Sequence, residues 1–184
     1  MDRAQAAPDT VILAQAEASL YLQATRQVVW HPRGQTPVVK VDPGRNMVHF
    51  YGALNLHSGQ EMAMLSPIMN AETTALYLQK LLLTYPNQPI LLLWDRAPWH
   101  KGAPIRQLLQ AHPRLELFAF PPGAPDLNPQ EHVWKAARTT ITHNHQVPRL
   151  QPLADQFLRY LNRTTFPSSL LQLHGYSAIC PMFI

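Results

Sequence analysis

The feature that most constrains the fold is a run of branched and aromatic residues that ends abruptly in a carboxylate. Ile90–Trp94 reads ILLLW, and Asp95 follows it directly. A short apolar run of this kind is typical of a strand that is buried on both faces. We therefore predict a central strand, with Asp95 at the point where that strand meets solvent.

A second apolar run leads into another carboxylate. Leu115–Phe120 is predicted to be a strand, and the rigid sequence PPGAP follows it. Asn128 and Pro129 then have the form of a helix start, because Asn caps free N–H groups and Pro is favoured at the first helical position. Glu131 would lie in the first turn of this helix, where its carboxylate can reach back toward Asp95.

Two carboxylates that meet at one place form the donor set of a divalent-metal site. Mg²⁺ and Mn²⁺ prefer oxygen ligands held by rigid elements, and such sites support phosphoryl transfer. The 35 residues from 96 to 130 separate Asp95 from Glu131. The sequence therefore predicts a phosphoryl-transfer site built from two distant parts of the chain.

Both carboxylates lie in blocks that resemble a known family. WDRAPWH at positions 94–100 and PPGAPDLNPQEHVWKAAR at positions 121–138 are similar to the second and third catalytic blocks of the mariner-like transposases. The similarity is greatest to the bacterial insertion-sequence branch, and the interval between Asp95 and Glu131 is near that of the family. This resemblance implies a ribonuclease H-like fold and an Asp-Asp-Glu triad.

The first catalytic block departs from the family pattern. Residues 11–22, VILAQAEASLYL, resemble the opening strand, which normally ends in Asp-Glu. In this alignment the catalytic Asp falls on Ala16, and Glu17 is its acidic neighbour. Alanine cannot ligate a metal, so the resemblance implies a chain that is inactive as written. Glu17 is a poor substitute, because adjacent side chains of a strand point to opposite faces.

Ala16 leaves alternatives open. It is either an engineered inactivating substitution or the natural decay or domestication of an element, and the intact Asp95 and Glu131 favour the former. A second interpretation is a DNA-binding or assembly module that has kept the fold without the chemistry. A third is a different ribonuclease H-like nuclease, which the LNPQEHVW block disfavours.

The remaining pattern agrees with an α/β fold. Strands are predicted at residues 11–22, 27–31, 37–41, 46–56 and 61–65. Helices are predicted at residues 70–85, 103–111, 129–142 and 152–161. Strands first, and then strands alternating with helices, indicate a mixed sheet flanked by helices, in which an antiparallel meander is joined to parallel strands.

The length of 184 residues suits one domain with its own core, here spanning residues 1–184. Positions 1–10 are too few for the helix-turn-helix region with which the family recognises element ends. We therefore expect either an excised catalytic domain or the second reading frame of an element that encodes its protein in two parts.

The composition favours a cytoplasmic protein with an anionic partner. The net charge is +4 and the pI is about 9.5. The single cysteine, Cys180, excludes an internal disulfide framework, and no apolar stretch approaches the roughly 18 residues of a membrane span. The N-terminus lacks the pattern of a signal peptide. We expect a bacterial protein that is cytoplasmic and associates with the nucleoid when it acts.

The resemblance also implies chemistry and partners. Three carboxylates would hold two Mg²⁺ or Mn²⁺ ions, and the domain would cut element ends and join them to target DNA, with TA as the implied target and a dimer assembled on the DNA. The candidate DNA contacts, chosen because cations bind phosphates, are Arg96, His100, Lys101, Lys135 and Arg138. Arg96 stands where the family more often has Asn.

Overall fold

The computed structural model describes residues 9–22, 33–34, 46–123, 125–143, 145 and 147–166. The strands predicted at 27–31 and 37–41 lie outside these residues. The other predicted strands are present, with bounds within two residues of the prediction.

The described strands form one mixed sheet. Its strands are β1 (Val11–Tyr21), β2 (Met47–Asn55), β3 (Glu61–Ser66), β4 (Ile90–Trp94) and β5 (Leu115–Ala119). Their order in the sheet is β3-β2-β1-β4-β5. β1 pairs with β2, and β2 with β3, in antiparallel fashion, whereas β1–β4 and β4–β5 are parallel. The predicted combination of an antiparallel meander with parallel strands is confirmed.

Four α-helices flank the sheet among the described residues. They are α1 (Ala71–Thr84), α2 (Ala103–Ala111), α3 (Gln130–Ala137) and α4 (Leu150–Arg163). The helix predicted at 129–142 is in two parts, because α3 continues into a π-helical turn at Arg138–Thr142. Within the described ranges, no helix combines the length and apolar character that crossing a bilayer requires.

The sheet is packed on both faces, and this decides where neighbouring residues of β1 point. On one face, Ala14, Ala16 and Ala18 lie in an apolar cluster with residues of α3 and α4. On the other face, Leu13 packs with residues of α1 and α2. Alanine side chains are small, so α3 can approach β1 closely. Position 16 therefore faces α3, and Glu17 points to the opposite side of the sheet.

One carboxyl group lies inside the core on the α3 side. Glu61 is 4% exposed, and its Oε1 accepts a hydrogen bond of 2.9 Å from Nε2 of Gln130. Burial raises the pKa of Glu61 to about 8, although the hydrogen bonds from Gln130 and the Ala53 N–H and the charge of Lys80 oppose the rise. Glu61 is therefore largely protonated at neutral pH.

This buried acid predicts a pH dependence of stability. Its pKa is near 4.5 when unfolded and about 8 when folded, so the folded chain binds the extra proton between these values. Stability is therefore greatest below pH 4.5 as far as Glu61 is concerned, and falls as the pH rises through 8. Since one pKa unit is worth about 1.4 kcal/mol, the loss should reach a few kcal/mol.

The Glu61→Gln variant isolates this effect, because its amide does not titrate. We expect urea unfolding to give a free-energy difference between the variant and the parent chain that grows from pH 5 to pH 8.5 in favour of the variant. A difference that stays constant over this range would mean that Glu61 is ionised throughout.

Gly52 makes room for the buried pair. It is paired with Ala16 across β1 and β2. A Cβ atom at this position would lie closer than 3.0 Å to the Glu61 carboxylate, the Gln130 amide and the Trp134 ring. A glycine within a strand often marks such a close approach.

We therefore expect Gly52→Ala to lower the free energy of unfolding by about 1–3 kcal/mol through overpacking. Denaturant unfolding measures the change. In a double-mutant cycle with Gln130→Ala, the penalty should shrink, because one of the crowded groups has been removed. Additive effects of the two substitutions would contradict the crowding at Gly52.

Candidate active site

A cleft of about 400 Å³ opens where β4 and β5 end. The carboxyl ends of neighbouring parallel strands meet at the same edge of a sheet, which is where α/β proteins commonly bind ligands. The cleft is lined by residues 95–97, 120–123, Asn128 and Glu131. Asp95 and Glu131, which 35 intervening residues separate in the chain, thus line the same cleft.

Asp95 lies immediately after β4, and its side chain is 56% exposed. Its Oδ1 accepts a hydrogen bond of 2.8 Å from the N–H of Ala97 and lies 3.1 Å from Nδ1 of His100. The His100 hydrogen bond lowers the pKa of Asp95, and the Ala97 N–H contributes in the same direction against the effect of burial. Asp95 is therefore an ionised carboxylate that is oriented by two donors and still open to the cleft.

Glu131 projects from the first turn of α3. Partial burial raises its pKa; the charge of Arg138 opposes the rise, and the charge of Asp95 adds to it. The negative charge of Asp95 thus makes ionisation of Glu131 less favourable. A bound cation would relieve that repulsion.

The start of α3 is tied to β1 beside position 16. The helix begins at Gln130, one residue later than predicted, with Pro129 in helical backbone angles before it. The Asn128 side chain accepts a hydrogen bond from the N–H of Gln130, as expected of a cap, and donates one of 2.9 Å to the carbonyl of Gln15. Asn128, which bonds to the first residue of α3, therefore also ties the start of that helix to β1.

The register of the sheet aligns position 16 with the end of β4. Ala14 of β1 pairs with Leu93 of β4 in parallel fashion. Position 16 lies two residues after Ala14, and Asp95 lies two residues after Leu93, so the two positions are level with each other. Ala16 is 4% exposed and contributes only a methyl group on the α3 side. A carboxylate at position 16 would project from the same face of the sheet on which α3 carries Glu131.

His100 lies between two carboxylates on the other side of β1. Its Nε2 donates to Oε1 of Glu17 at 2.9 Å, and its Nδ1 N–H is shared between the Asp95 carbonyl at 3.0 Å and Oδ1 of Asp95 at 3.1 Å. The ring is stacked on Trp94 with centroids 4.1 Å apart. Burial lowers the pKa of His100, but the bonds to Asp95 and Glu17 exceed this effect and raise it to about 9. A DNA contact by His100, as predicted, would require one of these bonds to break.

Three potential metal ligands lie close together beside the end of β4. Ligand atoms of Glu17, Asp95 and His100 lie within 4.8 Å of one another. However, both nitrogens of His100 donate to oxygen atoms, so no nitrogen lone pair is left for an ion. Asp95 and Glu131 instead offer open carboxylates that face one cleft. Their chemistry fits a hard divalent cation, with one carboxylate fewer than a triad provides.

Of the remaining candidate DNA contacts, Arg96 alone is among the residues that line the described cleft. Arg96 donates from Nε to the carbonyl of Phe120 at 3.2 Å. Lys101 is exposed, Lys135 lies on the exposed side of α3, and Arg138 begins the π-helical turn. Their contacts with phosphate stay predictions.

The contacts of Asn128, Glu17 and His100 are harder to predict from the sequence than the positions of the two carboxylates. Periodicity places Asn128 at a helix start, but its bond to Gln15 depends on how α3 packs across β1. In the sequence, Glu17 follows position 16 and His100 lies five residues after Asp95. This proximity to the catalytic blocks is the one sequence signal that the two residues share. Nothing local indicates that both would be buried in contact.

Comparison with known proteins identifies the family. The profile described as "DDE superfamily endonuclease" matches residues 15–154, which include positions 16, 95 and 131. The chain belongs to this family. An uncharacterized 39 kDa protein of the insertion element IS630 from Shigella sonnei is 29% identical over 156 residues, covering 82% of this chain and 44% of that protein. The resemblance to insertion-sequence and mariner-like transposases is confirmed.

Solved structures agree on the fold. The chain is similar to the Mos1 transposase in a paired-end complex with the left transposon end, with a TM-score of 0.67 and 15% identity over 94% of this chain and 53% of that one. It is also similar to the catalytic domain of the Mos1 mariner transposase, with a TM-score of 0.60 and 12% identity over 94% of this chain and 78% of that one. The ribonuclease H-like architecture is thus confirmed. The chain spans about half the length of the first relatives that it matches.

Proposed function

We propose that this chain is the catalytic domain of a DNA transposase that is inactive as written because Ala16 replaces the first catalytic Asp. The observation that carries the proposal is the placement of Asp95 and Glu131 in one cleft, with position 16 level with Asp95. An intact domain of this kind cuts the ends of an element and joins them to target DNA. Both steps are phosphoryl transfers at one site.

Asp95 and Glu131 are the residues that would hold Mg²⁺ or Mn²⁺. Two such ions would supply an activated water nucleophile and stabilise the leaving 3′ oxygen. The protein positions its carboxylates through rigid contacts: the Ala97 N–H orients Asp95, and Asn128 fixes the start of α3. A third carboxylate at position 16 would complete the set. Without it, metal binding weakens and the reacting groups lose their alignment, and a displacement of about 1 Å can already reduce the rate on the order of a hundredfold.

DNA is the proposed partner. The net charge of +4 and the presence of Arg96 in the cleft lining support this, and the similar Mos1 structures include a paired-end complex with a transposon end and a strand transfer complex. Joining two ends requires two catalytic domains, so we propose a dimer on the DNA with TA as the target. Arg96, Lys101, Lys135 and Arg138 would contact phosphates.

The test compares this chain with its Ala16→Asp variant in Mn²⁺. The assays are nicking of supercoiled plasmid and strand transfer of a duplex that carries the terminal repeats flanking the gene, with an end-binding region added to all proteins if needed. Ala16→Asn is the matched control, because it has the size of Asp without the charge. Activity in the Asp variant alone is expected. Equal activity of all three proteins would contradict the role given to position 16.

A second candidate is a DNA-binding or assembly module that keeps the fold without catalysis. The packing of the Ala16 methyl group in the apolar cluster on the α3 side favours it. Such a module should bind DNA and remain inactive after the single reversion to Asp, provided that circular dichroism shows the variant to be folded.

A further inference from the structure

The first turn of α3 has two buried polar anchors, one on each side. Asn128 connects it to β1, as described above. Gln130 connects it to β3 through the 2.9 Å hydrogen bond from its Nε2 to Oε1 of Glu61. Gln130 is fully buried and Glu61 is 4% exposed. Both anchors lie within three residues of Glu131.

Because Gln130 and Glu131 are neighbours in one helix, the bond between Gln130 and Glu61 also limits the direction of the Glu131 side chain. Consecutive residues of an α-helix project about 100° apart, so Gln130 can point into the core while Glu131 points toward the cleft. Rotation of α3 about its axis would move both side chains together. A directional bond at Gln130 therefore sets the direction in which Glu131 projects.

The apolar packing of α3 is a less directional constraint than this hydrogen bond. Val133 and Trp134 are buried against the sheet, and such packing holds the helix down without fixing the direction of a polar group. A buried acid–amide pair gives little net stability compared with apolar residues of similar size. Its position beside Glu131, in a space kept open by Gly52, points to orientation as its purpose.

We propose that Glu61 is a positioning residue that holds the carboxylate of Glu131 in place through Gln130. The proposal rests on the proposed function, since it assumes that Glu131 binds a divalent cation. Glu61 does not touch that cation or the DNA; it acts through the first turn of α3.

The experiment uses the full chain with Ala16→Asp as the parent and compares three further substitutions. Glu61→Leu removes the acceptor but keeps the apolar bulk, and Glu61→Gln keeps a carbonyl oxygen that accepts from Gln130. Leu81→Ala is the control for general destabilisation, because Leu81 is buried in the cluster on the opposite face of the sheet. Mn²⁺ affinity is measured from the electron paramagnetic resonance signal of the free ion.

We expect Glu61→Leu to weaken Mn²⁺ binding about tenfold, the scale on which groups that orient metal ligands act. Glu61→Gln should restore affinity to within about twofold, and Leu81→Ala should lower the melting temperature without changing the affinity. A Glu61→Leu variant that binds Mn²⁺ as tightly as the parent would overturn the proposal.

Hydrogen exchange separates this proposal from the proposed function. The N–H groups of Gln130 and Glu131 are bonded to Asn128, so their exchange reports on the first turn of α3. If the parent bound no Mn²⁺, the proposed function would fail. Hydrogen exchange would still show whether Glu61 holds the first turn of α3 in place. Faster exchange at these amides in Glu61→Leu, but not in Leu81→Ala, supports an anchoring role for Glu61; unchanged exchange overturns it.

Discussion

In the Ala16→Asp chain, replacing Asp95 by Asn or Glu131 by Gln is expected to reduce DNA cleavage by a hundredfold or more. Each amide keeps the size of the side chain but loses the negative charge that holds a divalent cation. The two residues line one cleft, so loss of either should disrupt the same site. The initial rate of plasmid nicking in Mn²⁺ measures the effect.

Asp126 provides the matched control for this prediction. It is an exposed acid in the turn that precedes α3, and it does not line the cleft. Asp126→Asn should therefore leave the nicking rate within about twofold of the Ala16→Asp parent. Equal losses in all three variants would indicate that general negative charge, rather than the Asp95–Glu131 pair, supports cleavage.

Replacing His100 by Leu should lower the free energy of unfolding at pH 7 by about 3–5 kcal/mol, because it leaves the carboxylate of Glu17 buried without a cationic partner. The Glu17 side chain is 4% exposed, and Nε2 of Gln15 would be its remaining donor among the hydrogen bonds described. Urea unfolding of the parent and the variant gives the difference directly.

The pH dependence identifies the cause of this loss. The pKa of His100 is raised to about 9 in the folded chain from an ordinary value of 6.5, so its ionic contribution is complete below pH 6.5 and is lost as the pH rises through 9. The difference between the parent and His100→Leu should therefore narrow from pH 7 to pH 9.5. The exposed His57, changed to Leu, is the control. If His100→Leu lowered the free energy of unfolding no more than His57→Leu does, a stabilising ion pair between His100 and Glu17 would be ruled out.

Much of the fold follows from short-range signals in the sequence. The run Ile90–Trp94 is apolar throughout because β4 is covered on both faces, and Asp95 marks its end. Asn70, a residue type that is favoured before a helix, caps α1 by accepting a hydrogen bond from the N–H of Thr73. Such signals are local, so one sequence is enough to find them.

The contacts around the site depend on how the elements pack together. Glu61 and Gln130 meet across 69 positions of the chain, and neither has a local pattern that marks it as buried. The strand around Glu61 is apolar on both faces, and Gly52 interrupts its neighbour; together these are the signals that indicate a crowded polar contact. The end of α3 at Ala137, followed by a π-helical turn, likewise has no clear sequence marker.

We propose that a carboxylate at position 16 completes a metal site with Asp95 and Glu131, and thermal unfolding with and without Mn²⁺ tests this. An Asp at a position that is 4% exposed should lower the melting temperature in metal-free buffer, because a buried carboxylate without a partner is unfavourable. A ligand that binds only the folded state raises the melting temperature. Mn²⁺ should therefore restore the melting temperature of Ala16→Asp, and should leave the original chain and the Ala16→Asp/Asp95→Asn double variant nearly unchanged. The same Mn²⁺ response in all three proteins would rule out a metal site that includes position 16.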